Sequence, residues 1–240
     1  MHTDDATAFF RFTHAFSQFY QGLHLVYPTP TFEKPIFPEP SELTIEELRP
    51  LMHYLHELYS EEELRKKYSG RVHNSERVNW FFERQGLETL CTSLRQRSPS
   101  AASRLSIHDS LSAYVVTVIN RILPSQIRKI KTTDSYRFSG ASFAFPDVAG
   151  NAIIDALTAL PANSTNMTNI ATSIRETLVH YRQHEVISTW MSAASHLMLV
   201  AAKAGKLFYY PPSTEIMPVN SMATCVIRCL SCLDFDSRTD

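Results

Sequence analysis

The segment Leu105–Leu123, LSIHDSLSAYVVTVINRIL, constrains the fold more than any other stretch. Ser106 stands where an N-cap belongs, Asp109 comes three residues later near the positive helix end, and Pro124 stops the helix. Leu111, Tyr114, Val115, Val118, Ile119 and Ile122 recur at helical spacing and are expected to form its buried face. Beyond Pro124 the period changes. Ile127–Thr133 alternates Ile-Arg-Lys-Ile-Lys-Thr-Thr, the pattern of a strand whose end is Asp134–Arg137. Within Phe143–Thr158, Val148-Ala149-Gly150-Asn151 reads as a turn into a second strand at Ala152-Ile153-Ile154.

The same periodicities predict helices at Arg84–Arg97, Thr168–Arg182 and Val186–Ala204. Ile170, Ile174, Leu178 and Tyr181 share one side of the second, and Gly205 closes the third. Strand pieces are expected at Glu76–Phe82, Lys206–Tyr210 and Met217–Val219. A polar RSPSAASR linker precedes the Leu105 helix. Strands and helices alternate without an internal repeat, which predicts an α/β (α+β) fold with a mixed β-sheet flanked by helices.

Upstream the pattern differs again. Thr7–Thr13 reads as a strand from its aromatic and threonine content, and Ser17–Val26 as a helix with Phe16, Phe19, Tyr20 and Leu23 on one stripe. Tyr27–Pro40 holds five prolines and is expected to be a connecting arm. Ser41–Gly70 is charged and helical, interrupted at Pro50, with capping boxes at Thr44-Ile45-Glu46-Glu47 and Ser60-Glu61-Glu62-Glu63. It reads as a solvated helical hairpin.

Composition narrows the function. A net charge of −1 leaves no basic footprint for nucleic acid or an anionic membrane. No apolar run reaches the ~18 residues that span a bilayer, and the acidic start MHTDDATAFF lacks the basic flank of a secretory signal. A cytoplasmic monomer without nucleic-acid or membrane partners is expected. Six glycines are few for phosphate-cradling loops.

Chemistry points to Ala8–Gly22. Read as strand then helix, it puts His14 at a strand end, where an imidazole facing a channel can serve as a general base; the plainer reading is a hydrogen-bonded strand-end histidine. His180 and His184, four apart on a helix, read as solvated histidines, as do His53 and His56. Cys225, Cys229 and Cys232 have zinc-like spacing without a clear fourth ligand and read as free thiols. No metal site is expected. Trp190–Met198 reads as core.

Several segments, in order, resemble the second half of the BAHD acyl-CoA-dependent acyltransferases, which have the chloramphenicol acetyltransferase-like fold. His14-Ala15-Phe16-Ser17-Gln18 is similar to the family's HxxxD motif, with Gln18 in place of the acid. Leu105–Tyr114 resembles its I-S-x-x-D-A-L-S-A helix opening, Ser135-Tyr136-Arg137 the strand end with its structural arginine, and Val148–Ile153 its G-N-A turn. Thr168–Arg175 fits its A-x-x-I-R helix, Asn220-Ser221 a serine-containing strand, and Asp234-Phe235 the first two residues of its DFGWG motif.

The resemblance implies two parts: residues 1–70 as a remnant of the N-terminal half with the connecting arm, and 71–240 as the C-terminal domain. The implied enzyme moves an acyl group from acyl-CoA, a co-substrate with no bound cofactor, to a hydroxyl or amine of a small molecule. His14 would be the general base, Gln18 and Arg137 the structural pair, and Asp234 and Phe235 what is left of the closing motif. Gly150, Asn151, Asn220 and Ser221 would line the CoA and acceptor channel. Gln18 could still accept a hydrogen bond from Arg137, but without the acid's charge the bidentate ion pair is lost. Two alternatives remain open: a non-catalytic truncated remnant, which predicts a solvent-flooded His14, and a condensation-type domain using carrier-bound acyl thioesters, which would want a histidine where Thr13 stands.

Overall fold

A computed structural model of the chain describes residues 6–26, 37–52, 55, 57–72, 80–97, 105–122, 126–135, 153–160, 165–208 and 215–220. In chain order these form α1 (Ala6–Tyr20), α2 (Glu42–Leu48), β1 (Leu58–Tyr59), α3 (Glu61–Val72), α4 (Arg84–Arg97), α5 (Ile107–Ile122), β2 (Lys129–Ser135), β3 (Ile153–Ala159), α6 (Met167–Tyr181), α7 (His184–Lys203), β4 (Leu207–Phe208) and β5 (Ile216–Asn220). A single 3-10 turn, Arg49–Leu51, succeeds α2 where Pro50 removes a backbone donor. The fold is mixed α/β of the α+β kind, predominantly helical among the described residues.

The larger sheet is mixed, in the order β3-β2-β5. Central β2 runs antiparallel to β3, with Lys129 opposite Ala159 and Ser135 opposite Ile153, and parallel to β5, with Lys129 opposite Ile216 and Thr133 opposite Asn220. Period-2 alternation sets the faces. Ile130, Thr132, Ile154, Ala156 and Thr158 are buried, and α6 packs along β3. Lys131, Thr133 and Asp155 occupy the other face, half-buried. A two-stranded antiparallel pair, Leu58 opposite Phe208 and Tyr59 opposite Leu207, joins β1 to β4.

Local signals set most helix ends. Ser60 and Glu63 form the expected box: the Glu63 amide donates to Ser60 Oγ and the Ser60 amide to Glu63 Oε2 at 2.7 Å. Those bonds hold the Glu63 carboxyl below its ordinary pKa. The box expected at Thr44 forms one turn earlier, because Ser41 Oγ accepts from the Thr44 amide and makes Ser41 the cap of α2. Gly205 closes α7 at φ 63°, with the Lys206 amide donating to the Ala201 carbonyl and the Gly205 amide to that of Ala202. Gly22 closes α1 the same way at φ 69°.

Several expectations are corrected. The strand expected at Thr7–Thr13 is helical, as is His14: the 3.6-residue spacing of Phe12, Phe16 and Phe19 runs back through the segment, and among the described residues no strand pairs with it. The helix expected to reach Val26 stops at Tyr20, where Gly22 supplies the left-handed turn. Trp80–Phe82, the described part of the strand expected at Glu76–Phe82, leads irregularly into α4, and Phe82 meets Tyr114 edge-on with ring centroids 6.3 Å apart.

The deepest correction concerns α5. Its fully buried residues are Asp109, Ser110, Ser112, Ala113, Val116, Thr117 and Asn120, while Tyr114 and Ile122 are exposed and Leu111, Val115, Val118 and Ile119 half-buried. The helix is held between α4 and α6, and small residues there let the backbones approach closely. Buried Asn120 fixes the passage to β2: its Nδ2 donates to the Ile127 carbonyl at 3.2 Å and its Oδ1 accepts from the Ile127 amide at 2.6 Å. On α7, Trp190 is buried as expected and Met198 is exposed. Ile170, Ile174, Leu178 and Tyr181 of α6 are all buried, as their spacing predicts.

Candidate functional site

The β2 register brings three chain ends together. β2 leaves the sheet at Ser135, β3 enters it opposite at Ile153, and parallel β5 ends at Asn220 against Thr133. All three lie at one end of the sheet. Arg137 is two residues beyond Ser135, Asn151 two before Ile153, and Ser221 directly after Asn220. Arg137, Gly150, Asn151, Ser221, Asp234 and Phe235 themselves lie outside the described residues, as do Cys225, Cys229, Cys232, His53 and His56.

Beside this end stands a polar cluster that sequence reasoning missed. Lys131 Nζ lies 3.2 Å from Asp155 Oδ2, and Thr133 Oγ1 donates to Asp155 Oδ1 at 2.7 Å. The Lys131 and Asp155 side chains keep 14% and 13% of their exposure, so the pair is substantially desolvated and its attraction must offset the cost of taking both charges out of water. Its only signal in the sequence was the alternation that put Lys131 and Thr133 on one face of β2.

A second ion pair is buried further. Asp109 is fully buried and closes the N-terminal box of α5: the Ser106 amide donates to its Oδ2 at 2.6 Å, and the Asp109 amide donates to Ser106 Oγ. The same Oδ2 accepts from Arg175 of α6, through Nε at 2.8 Å and through a terminal guanidinium nitrogen. The capping role was legible in the sequence. The partner 66 residues away was not.

His14 is exposed in α1, with Gln18 half-buried one turn on. Gln18 Oε1 accepts from the Val26 amide at 3.2 Å and so ties down the chain that leaves α1. The pairing expected with Arg137 falls outside the described residues. α1 packs extensively against none of the described strands. His180 and His184 are exposed, and among the described residues no group of three or more His, Cys, Asp or Glu is placed to hold a metal ion.

One groove opens between the start of α4 and α5, lined by Phe82, Glu83, Leu87, Leu90, Leu111 and Tyr114, with a volume of about 230 Å³. It is almost wholly apolar, and Glu83 and Tyr114 are its only lining residues with a side chain able to exchange a proton. Among the described residues, no helix is long and apolar enough to cross a membrane. No protein-family model matches the chain, and no curated protein matches it significantly.

Proposed function

We propose that the chain carries the C-terminal part of a BAHD-type acyltransferase, with the chloramphenicol acetyltransferase-like arrangement, and moves an acyl group from acyl-CoA to a hydroxyl or amine of a small molecule. The observation that supports this reading is the strand register. It gathers at one sheet end the chain positions next to Arg137, Gly150-Asn151 and Asn220-Ser221, which the resemblance assigns to the site and its channel. The Asp109–Arg175 pair adds to it by joining the two helices that resemble the family's I-S-x-x-D and I-R segments.

In this reaction the acceptor oxygen or nitrogen attacks the thioester carbonyl while the His14 imidazole takes its proton. Collapse of the tetrahedral intermediate breaks the carbon–sulfur bond, and the proton passes to the departing CoA thiolate. General-base assistance of this kind contributes ~10²–10⁴-fold. No redox partner and no covalent enzyme intermediate is required.

A second reading has its own observation. His14 is exposed on a helix, as a non-catalytic relative of such enzymes would have it. Incubating the purified chain with acetyl-CoA and a panel of alcohols and amines separates the two. Acceptor-dependent release of CoA thiol, lost in His14→Ala, is the expected result. Equal release by the variant would remove His14 from the mechanism, and no release by the native chain favours the non-catalytic reading.

A further inference from the structure

α1 presents a surface that the described elements leave uncovered. Phe12, Phe16, Phe19 and Tyr20 are 62–85% exposed, and Leu23 and Val26 beyond the helix end are exposed too. Phe12, Phe16 and Phe19 have the four-then-three spacing of a helix-packing stripe, and the Phe12 and Phe16 rings already stack with centroids 6.4 Å apart. From Phe12 to Tyr20 only Ala15 and Gln18 are half-buried.

We propose that this stripe pairs α1 with the α1 of a second copy of the chain, making a two-fold dimer through aromatic packing. Area carries the choice of occupant. At ~200 Å² per aromatic side chain, the four rings leave roughly 550–600 Å² uncovered on each copy. Two copies together then offer up to ~1,100 Å², against the ~1,000 Å² that a specific interface needs. The stripe holds no charge, so the same face on a second copy meets it with no ion left unpaired, as an isologous contact requires. A lipid surface fits less well. A helix lying in a membrane interface is rich in Lys and Arg along its polar face, and α1 holds only one such residue, Arg11. His14 faces away from the stripe and stays accessible in the dimer, so the pairing does not rest on the proposed acyl transfer.

Sedimentation equilibrium of the full chain across micromolar concentrations tests the pairing. The native chain is expected to show a reversible monomer–dimer equilibrium. Phe19→Asp, an exposed substitution whose helix content is checked by circular dichroism, is expected to raise the dimer dissociation constant roughly thirtyfold or more, the loss of one interface hot spot. Ile122→Asp, equally exposed but on the apolar side of α5, is expected to leave it unchanged. A native chain that stays monomeric overturns the proposal, and so does a dimer indifferent to Phe19→Asp. Dissociation by Ile122→Asp would place the docking surface on α5 and overturn it as well. A monomer that co-sediments with phosphatidylserine vesicles, and loses them in Phe19→Asp, would replace the second copy by lipid.

Discussion

At the scale of single residues, Asp109 does two jobs with one oxygen. It satisfies an amide at the start of α5 and holds the Arg175 guanidinium from α6, in a position with no solvent. Removing one partner of such a pair leaves the other charge buried and uncompensated, which costs ~3–5 kcal/mol. Asp109→Ala should therefore lower the unfolding free energy measured in urea by that amount, with an unchanged slope. Asp109→Ala combined with Arg175→Met should recover much of the loss, because an apolar pair of similar volume carries no stranded charge. A double variant no more stable than the single one would show that the loss comes from the cap rather than the ion pair. His14 contrasts with Asp109: the chemistry of an imidazole is legible from its identity, whereas its usefulness as a base depends on walls that exclude water. The residues described around it do not supply them.

At the scale of elements, the ends of helices are the most readable features, because caps are local. Ser60 with Glu63, Ser106 with Asp109 and Gly205 each act within a few residues of where they stand in the chain. Gly205 makes the clearest test. A methyl group there would meet nothing within 4 Å, yet φ is 63°, a conformation that side chains disfavour. Gly205→Ala should cost ~1–2 kcal/mol, measured by chemical denaturation, purely through backbone strain. A smaller loss would mean that the end of α7 rearranges to avoid the left-handed turn. Faces of helices are less readable than ends. α6 buries the side its periodicity announces, while α5 buries its small and polar side, because α4 and α6 close on it there.

At the scale of the whole molecule, α6 seals the sheet, and Tyr181 marks the seal. Its side chain is buried, and burial pushes the phenol above its ordinary pKa of 10.0, offset in part by the Leu157 backbone. The folded state therefore holds this proton more tightly than the unfolded chain. The resulting stability is complete below about pH 10 and is lost as pH rises through the folded value. Tyr181→Phe should flatten the fall in stability measured by urea melts between neutral and strongly alkaline pH. An unchanged alkaline slope would show that other groups control it.

The sequence by itself determined where α4 to α7 begin and stop to within two residues, where β2 alternates, and that strands and helices combine in a mixed sheet. All of these depend on contacts a few residues apart and on one repeating period. Three things were decided only by tertiary structure. The first is that α1 is a helix: aromatic residues suit a strand as well as a helix, and among the described residues no strand pairs with it. The second is the buried side of α5, since periodicity reports which side is apolar and not which side neighbouring helices approach. The third is the β2 register, which brings Ser135, Ile153 and Asn220 to one end of the sheet. No local pattern encodes it, because strand pairing joins residues distant in the chain, and the proposed site takes its support from that pairing.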